Sequence, residues 1–298
     1  MSCNFNFSLL RHVFNICIFL CFFYFPYQVA ADPAIWEIKN KSNSVYLFGS
    51  IHVANESMYP LGATVQNAFD NSDVLIVEVD EAQADQVKLQ ELLMSRGFYP
   101  GAETVESHIS KSTMKLLQDF LTESDIPYAT VARMRPGLMA VTLTVAKIVQ
   151  MGYSPELGID RYFMNKARGK KTIEQLETAQ AQMELLLSFS DDDLLLKHTL
   201  ISLQEMDKMV KEMIDAWQAG DETKMETLMI TDQLKEYPEF RSVFRKLIDD
   251  RNISMAINIQ QLLNSNKNYF VVVGTGHLVG ENGIVALMRK RGLNVKRL

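Results

Sequence analysis

Val45-Tyr46-Leu47-Phe48-Gly49-Ser50-Ile51-His52 decides how this chain is read, because the same order of residue types returns near its other end. There it is written Tyr269-Phe270-Val271-Val272-Val273-Gly274-Thr275-Gly276-His277. Each stretch is a short apolar run, a glycine at its exit and a histidine three places on. Runs of this length, rich in β-branched and aromatic residues, predict strands buried on both faces. A glycine at the exit lets the backbone turn sharply or approach a neighbour closely. Outward from the first stretch, Pro60 opens a helix to about Asp70. Val74-Leu75-Ile76-Val77-Glu78-Val79 then predicts a second strand, which makes a βαβ-like unit if the two run parallel. Outward from the second, a helix from about Asn282 to Arg291 stops at Gly292 and leads to a last strand, Val295 to Leu298.

The middle of the chain reads as helix. Ala82–Ser95 and Ser110–Glu123 look amphipathic, Gly137–Met151 is apolar enough for a core helix, and Ile159–Ala167 follows. Lys171–Leu176 suits a short strand. Ser190-Asp191-Asp192-Asp193 caps a long helix on which Leu203, Met206, Val210, Met213 and Trp217 share one face, and Gly220 ends it. Further helices are expected over Glu222–Thr231 and Glu239–Leu263. The expected fold class is α/β: a central, mostly parallel sheet built from both chain ends, flanked by helices and carrying a large helical insert, as one domain over residues 32–298.

The chain has 298 residues, 47% of them hydrophobic and 22% charged, close to the globular average. Its net charge of −6 gives no electrostatic footprint for nucleic acid. Arg11 and His12 precede an apolar stretch, Val13 to Phe25. Pro26 breaks it, and Val29-Ala30-Ala31 places small residues where a signal peptidase needs them. Residues 1–31 are therefore expected to be a secretory signal, with an uncleaved N-terminal anchor as the rival reading. The expected location is periplasmic or secreted, and at the inner membrane only if the signal stays attached. Cys3, Cys17 and Cys21 all fall within that segment, so cysteine carries neither chemistry nor disulfides beyond it.

In open α/β sheets ligands bind beyond the carboxyl ends of the strands. His52 and His277 stand there in matched contexts and are expected to face one crevice. Glu78 ends an otherwise apolar strand, where a carboxylate must be paired, metal-bound or used. Glu177 holds the same position after Leu176. Asp160 suits either the site or the first turn of a helix. Arg251 and Asn252 open a helix, where the arginine serves a developing oxyanion or an ion pair. His52, Glu78 and His277 make a ligand set for a divalent transition metal (manganese, cobalt, iron or zinc) with room for water. Alternatively one histidine is a general base without metal. H-E-x-x-H, P-loop and G-x-S-x-G motifs are all absent. His108 and His198 carry no functional weight.

From Trp36 to Leu298 the chain resembles the TraB/PrgY/GumN family. The resemblance rests on both G-x-x-H stretches, Leu75-Ile76-Val77-Glu78-Val79, Gly158-Ile159-Asp160, Leu176-Glu177-Thr178, Trp217 with Gly220-Asp221, and Arg251-Asn252. That family is similar to the Tiki metalloproteases of animals and is grouped with erythromycin esterases and ChaN-like haem-binding proteins. The resemblance implies an α/β core with helical additions. It makes His52, Glu78 and His277 the first site candidates, with Glu177, Arg251 and Asn252 beside them. The expected function is an exported, metal-dependent, protease-like hydrolase acting on a peptide or small-molecule amide or ester. The alternatives are a haem- or peptide-binding protein without turnover, or a regulatory module with a degenerate site.

Overall fold

In the computed structural model, which describes residues 31–189 and 191–298, the two strand-and-glycine stretches lie side by side. The six strands are β1 (Ile35–Lys39), β2 (Ser44–Ser50), β3 (Val74–Val77), β4 (Thr172–Gln175), β5 (Tyr269–Gly274) and β6 (Val295–Arg297). They form one sheet in the order β4-β3-β5-β2-β1-β6. β4, β3, β5 and β2 are mutually parallel, and β1 runs antiparallel to both β2 and β6. The sheet is thus built from both chain ends. The signal expected over residues 1–31 falls, but for Ala31, outside the described residues.

β2 and β3 are parallel and joined through a helix, but they are not neighbours, because β5 pairs between them. The strand side chains divide by period two. Phe48, Leu75, Val77, Phe270 and Val272 enter one core with Phe69, Phe163 and Trp217. Val45, Leu47, Val74, Ile76, Val271 and Val273 enter the other with Trp36, Met255 and Met288. Both faces are covered, which is why the strands are apolar throughout rather than alternating.

The helices of seven residues or more are α1 (Ala63–Asp70), α2 (Gln86–Arg96), α3 (Lys111–Glu123), α4 (Pro136–Gln150), α5 (Ile159–Ala167), α6 (Ala179–Leu186), α7 (Asp192–Gln218), α8 (Asp250–Leu262) and α9 (Ile284–Lys290). Parts of α3, α4 and α7 enclose a third core around Leu117, Phe120, Met139, Leu143, Leu196 and Leu203, which is the helical insert. Asp191 caps α7 by accepting the Leu194 N–H at 2.9 Å. Gly220 follows α7 with φ +64°, a conformation that favours glycine.

Three boundaries and one burial pattern differ from expectation. β1 appears where no strand was expected. The first helix starts at Ala63, three residues after Pro60. Glu81–Gln83 forms a separate 3₁₀ turn before α2. α4, expected as a core helix, buries only part of its surface: Val141, Val145 and Val149 are 41%, 42% and 54% exposed. No helix among the described residues is long and apolar enough to cross a membrane.

Candidate active site

The parallel register of β2 and β5 sets Gly49 beside Val273 and Ser50 beside Gly274, so the two G-x-x-H stretches leave the sheet together. β3 pairs on the other side of β5, Val77 beside Val272, and its next residue is Glu78. His52, His277 and Glu78 are therefore delivered to the carboxyl edge by three adjacent strands. Both glycines sit in close contact. A Cβ on Gly49 would lie 2.7 Å from Thr275 Oγ1, and that hydroxyl donates to the Ser50 carbonyl at 3.0 Å. A Cβ on Gly274 would lie 3.2 Å from Glu78 Oε1, 3.4 Å from His52 Nε2 and 3.7 Å from His277 Cδ2. Three sequence-nominated side chains thus converge on the space that one missing side chain leaves.

Glu78 is 7% exposed and fully engaged. Its Oε1 accepts the Gly274 N–H at 2.5 Å, and its Oε2 accepts Arg251 Nη2 at 2.8 Å and Gln182 Nε2 at 3.3 Å. Burial alone would raise its pKa. His277, His52, Arg251 and the Gly274 N–H outweigh that and hold it below the ordinary carboxylate value. Arg251 also donates to both oxygens of Glu177, Nε at 3.0 and 3.1 Å and Nη2 at 2.7 Å, while Nη1 donates to the Leu247 carbonyl at 2.9 Å. Burial works against its charge, but the two carboxylates more than compensate and keep it protonated. The geometry therefore gives Arg251 the ion pair of its two sequence readings: one cation bridges buried Glu78 and partly buried Glu177.

His277 is 4% exposed. Its Nδ1 lies 2.6 Å from Asn252 Oδ1, and Asn252 Nδ2 donates to the Asn282 carbonyl at 2.9 Å. That second bond assigns the amide orientation, so the Asn252 oxygen accepts and His277 Nδ1 carries the proton. Nε2 of the neutral ring then holds its lone pair 3.8 Å from Glu78 Oε1. Burial lowers the His277 pKa to about 4, so the ring is neutral at physiological pH. His52 is held differently. Its side chain is 63% exposed, with Nδ1 3.3 Å from Asp160 Oδ1. The bond to Asp160 raises its pKa to about 9. Gly158 allows this docking, because a Cβ there would come within 2.4 Å of the His52 carbonyl oxygen, and the Ile159 N–H donates to the Ile51 carbonyl at 3.0 Å.

His52 and Glu78 open onto a cleft of about 560 Å³, whose lining includes Ser50, Asp160 and Gln182; His277 stands behind Glu78 and does not line it. Asp160, left open by the sequence, is both a first-turn acid of α5 and the partner of His52. Gln182 was not foreseen. It sits on α6 with Nε2 on Glu78 and, at 2.9 Å, on Glu177 Oε2, and no spacing in the sequence singles it out. His108 stacks on Tyr99 and His198 on Phe240, and neither lines the cleft.

Among the described residues no group of three or more His, Cys, Asp or Glu donors is already arranged to hold a metal ion. The donor chemistry nonetheless fits one. Two imidazoles each have Nδ1 on an oxygen acceptor and Nε2 toward Gly274 or Glu78, the arrangement that fixes ligating histidines, with a carboxylate beside them.

The sequence profile of the TraB/PrgY/gumN family matches residues 34–297. The chain is similar to a metalloprotease TIKI homolog of Nematostella vectensis, 24% identical over 336 residues that cover 91% of this chain and 70% of the relative. It is also similar to an uncharacterized protein of Treponema pallidum (strain Nichols), 22% identical over 279 residues, 88% of this chain and 82% of the relative. No solved structure matches it.

Proposed function

The chain belongs to the TraB/PrgY/gumN family, and on that premise we propose that it is an exported, metal-dependent hydrolase of peptide-like amide or ester bonds. One observation carries the reading: His52 Nε2, Glu78 Oε1 and the His277 ring all lie within 3.7 Å of the Cβ position that Gly274 does not fill. These three residues would hold a divalent transition metal. Such an ion supplies Lewis acidity toward a carbonyl and lowers the pKa of a water.

The remaining residues support that set. Asn252 fixes the His277 tautomer, and Asp160 orients His52. Arg251, with Glu177 as its second anchor, holds Glu78 ionised and immobile. The relative named as a metalloprotease supports a peptide bond as the target.

The test is metal analysis of protein purified without a histidine tag, followed by cleavage of a peptide library with manganese or cobalt added. His52→Ala and His277→Ala are each expected to abolish metal-stimulated cleavage while the folded circular dichroism spectrum is kept. Full activity in either variant overturns the assignment.

A further inference from the structure

We propose that the cleft beside His52 and Glu78 selects an extended peptide segment by a large apolar side chain next to the bond presented to the site. This deepens, and rests on, the hydrolase reading above. One wall of the cleft is α6, which contributes Ala179, Met183 and Leu186, spaced i, i+4 and i+7 on one helical face. α6 contains no buried residue, so this face serves no core. Gln182 projects from the same helix onto Glu78 and Glu177, which ties the apolar wall directly to the site.

The lining also takes Leu89 from α2 and Val141 from α4. α2 likewise buries none of its residues. The fold already takes what it needs from α4 through Met139 and Leu143. Val141, Val145 and Val149 continue outward at i, i+4 and i+8, so an apolar track leaves the cleft along α4. Apolar surface left in water is unfavourable by about 25 cal/mol per Å². In the cleft lining Val141 joins Leu89, Ala179, Met183 and Leu186, an apolar set beside His52 and Glu78 that points to a ligand that covers it.

The occupant is a peptide rather than a lipid, because the cleft is not apolar throughout. Ser50, Asp160, Arg161 and Gln182 line it as well, and the Ser50 hydroxyl has no hydrogen-bond partner among the described residues, whereas the other three already hold His52, Glu81 or Glu78. A volume of about 560 Å³ suits a few residues, not a folded domain. Methionine at positions 164 and 183 makes the lining adaptable, which favours a class of side chains (leucine, isoleucine, methionine, phenylalanine) over one shape.

The experiment compares two fluorescein-labelled heptapeptide amides of equal charge, one with Leu-Leu and one with Ser-Ser at its centre. Binding to the full chain is read by anisotropy, and cleavage separately by mass spectrometry with manganese added. The Leu-Leu peptide is expected to bind at least about tenfold more tightly, which is about 1.4 kcal/mol. Val141→Glu and Met183→Glu should each reduce that preference to less than about threefold. Val149→Glu, on the same stripe but outside the cleft, should leave it intact, and the unfolding midpoints of all three report whether they fold. Equal affinities, no binding of the Leu-Leu peptide, or a preference that survives both cleft substitutions overturns the proposal. So does attachment to phosphatidylcholine vesicles, lost in the same two variants, with no peptide bound. Selective binding without cleavage keeps this inference and overturns the hydrolase reading. Cleavage without selectivity does the reverse.

Discussion

Gly274 is where a hydrogen atom in place of a methyl leaves space between Glu78 and His52. Its φ of −52° and ψ of 138° are open to any residue, so alanine there strains no backbone. The added Cβ would instead crowd Glu78 Oε1 at 3.2 Å and His52 Nε2 at 3.4 Å. We expect Gly274→Ala to fold within about 1 kcal/mol of the parent while losing metal-stimulated cleavage; unchanged cleavage would show that this space is not used. Arg251 makes the opposite case, since it serves the fold and the site together. Its side chain and those of Glu78 and Glu177 are 16%, 9% and 17% exposed. Arg251→Ala leaves two carboxylates without their cation, and urea unfolding should register a loss of about 3–5 kcal/mol. Arg251→Lys keeps the charge without the planar fork and should lose less. The residue types at this site were legible in the sequence, because a glycine at a strand exit and a carboxylate after apolar residues are each expensive without a reason. Gln182 was not legible, since a glutamine on a helix looks the same whether it meets solvent or a buried carboxylate.

At the scale of elements, the short strands β3, β4 and β6 form where their apolar or β-branched runs predict them, and the departure is β1. β2, β5 and α7 carry many residues that agree with one another. β1 offers only Ile35-Trp36-Glu37-Ile38-Lys39, and it forms because β2 on one side and β6 on the other complete its hydrogen bonds. Two π-helical turns, Thr227–Thr231 and Arg245–Asp249, were likewise invisible, and the second leads directly into Arg251 and Asn252 at the start of α8. π-turns are often found at functional sites, and sequence periodicity does not reveal them. α7 also carries a titration. His198 stacks on Phe240 with ring centroids 3.6 Å apart, and burial lowers its pKa below 6.5 against the opposing pull of Glu239. A lowered histidine pKa means that the unfolded chain binds the proton more readily. Its contribution to stability is therefore present above about pH 6.5 and is lost as pH falls below that value. His198→Phe keeps the stack without the proton. Between pH 7.5 and 5.5 the parent should lose more thermal stability than this variant, and equal losses would remove His198 as the cause.

Across the whole molecule, the site is assembled from segments far apart in the chain. His52 comes from the first part, Glu177 and Gln182 from the middle, and Arg251, Asn252 and His277 from the last part. The two G-x-x-H stretches meet only when β5 enters between β2 and β3, so the sheet depends on non-local pairing, whereas the insert is helical and local. Local contacts form faster than contacts that must close a long loop. The sequence provides its own reporter, because its only two tryptophans, Trp36 on β1 and Trp217 at the C-terminal end of α7, both pack within the layers that cover the sheet. Trp36 lies in one core layer, and Trp217 lies in the other with its Nε1–H donating to the Gly49 carbonyl at 2.8 Å. The insert core around Leu117, Leu143 and Leu203 contains none. In refolding from urea, far-ultraviolet circular dichroism should recover a large part of its amplitude before tryptophan fluorescence reaches its native value. Metal binding should return with the fluorescence and not with the dichroism, because Gly49 and Gly274 leave neighbouring strands. A single shared rate for all three signals would instead mean that insert and sheet fold as one cooperative unit, with the long loop closed before the helices are stable.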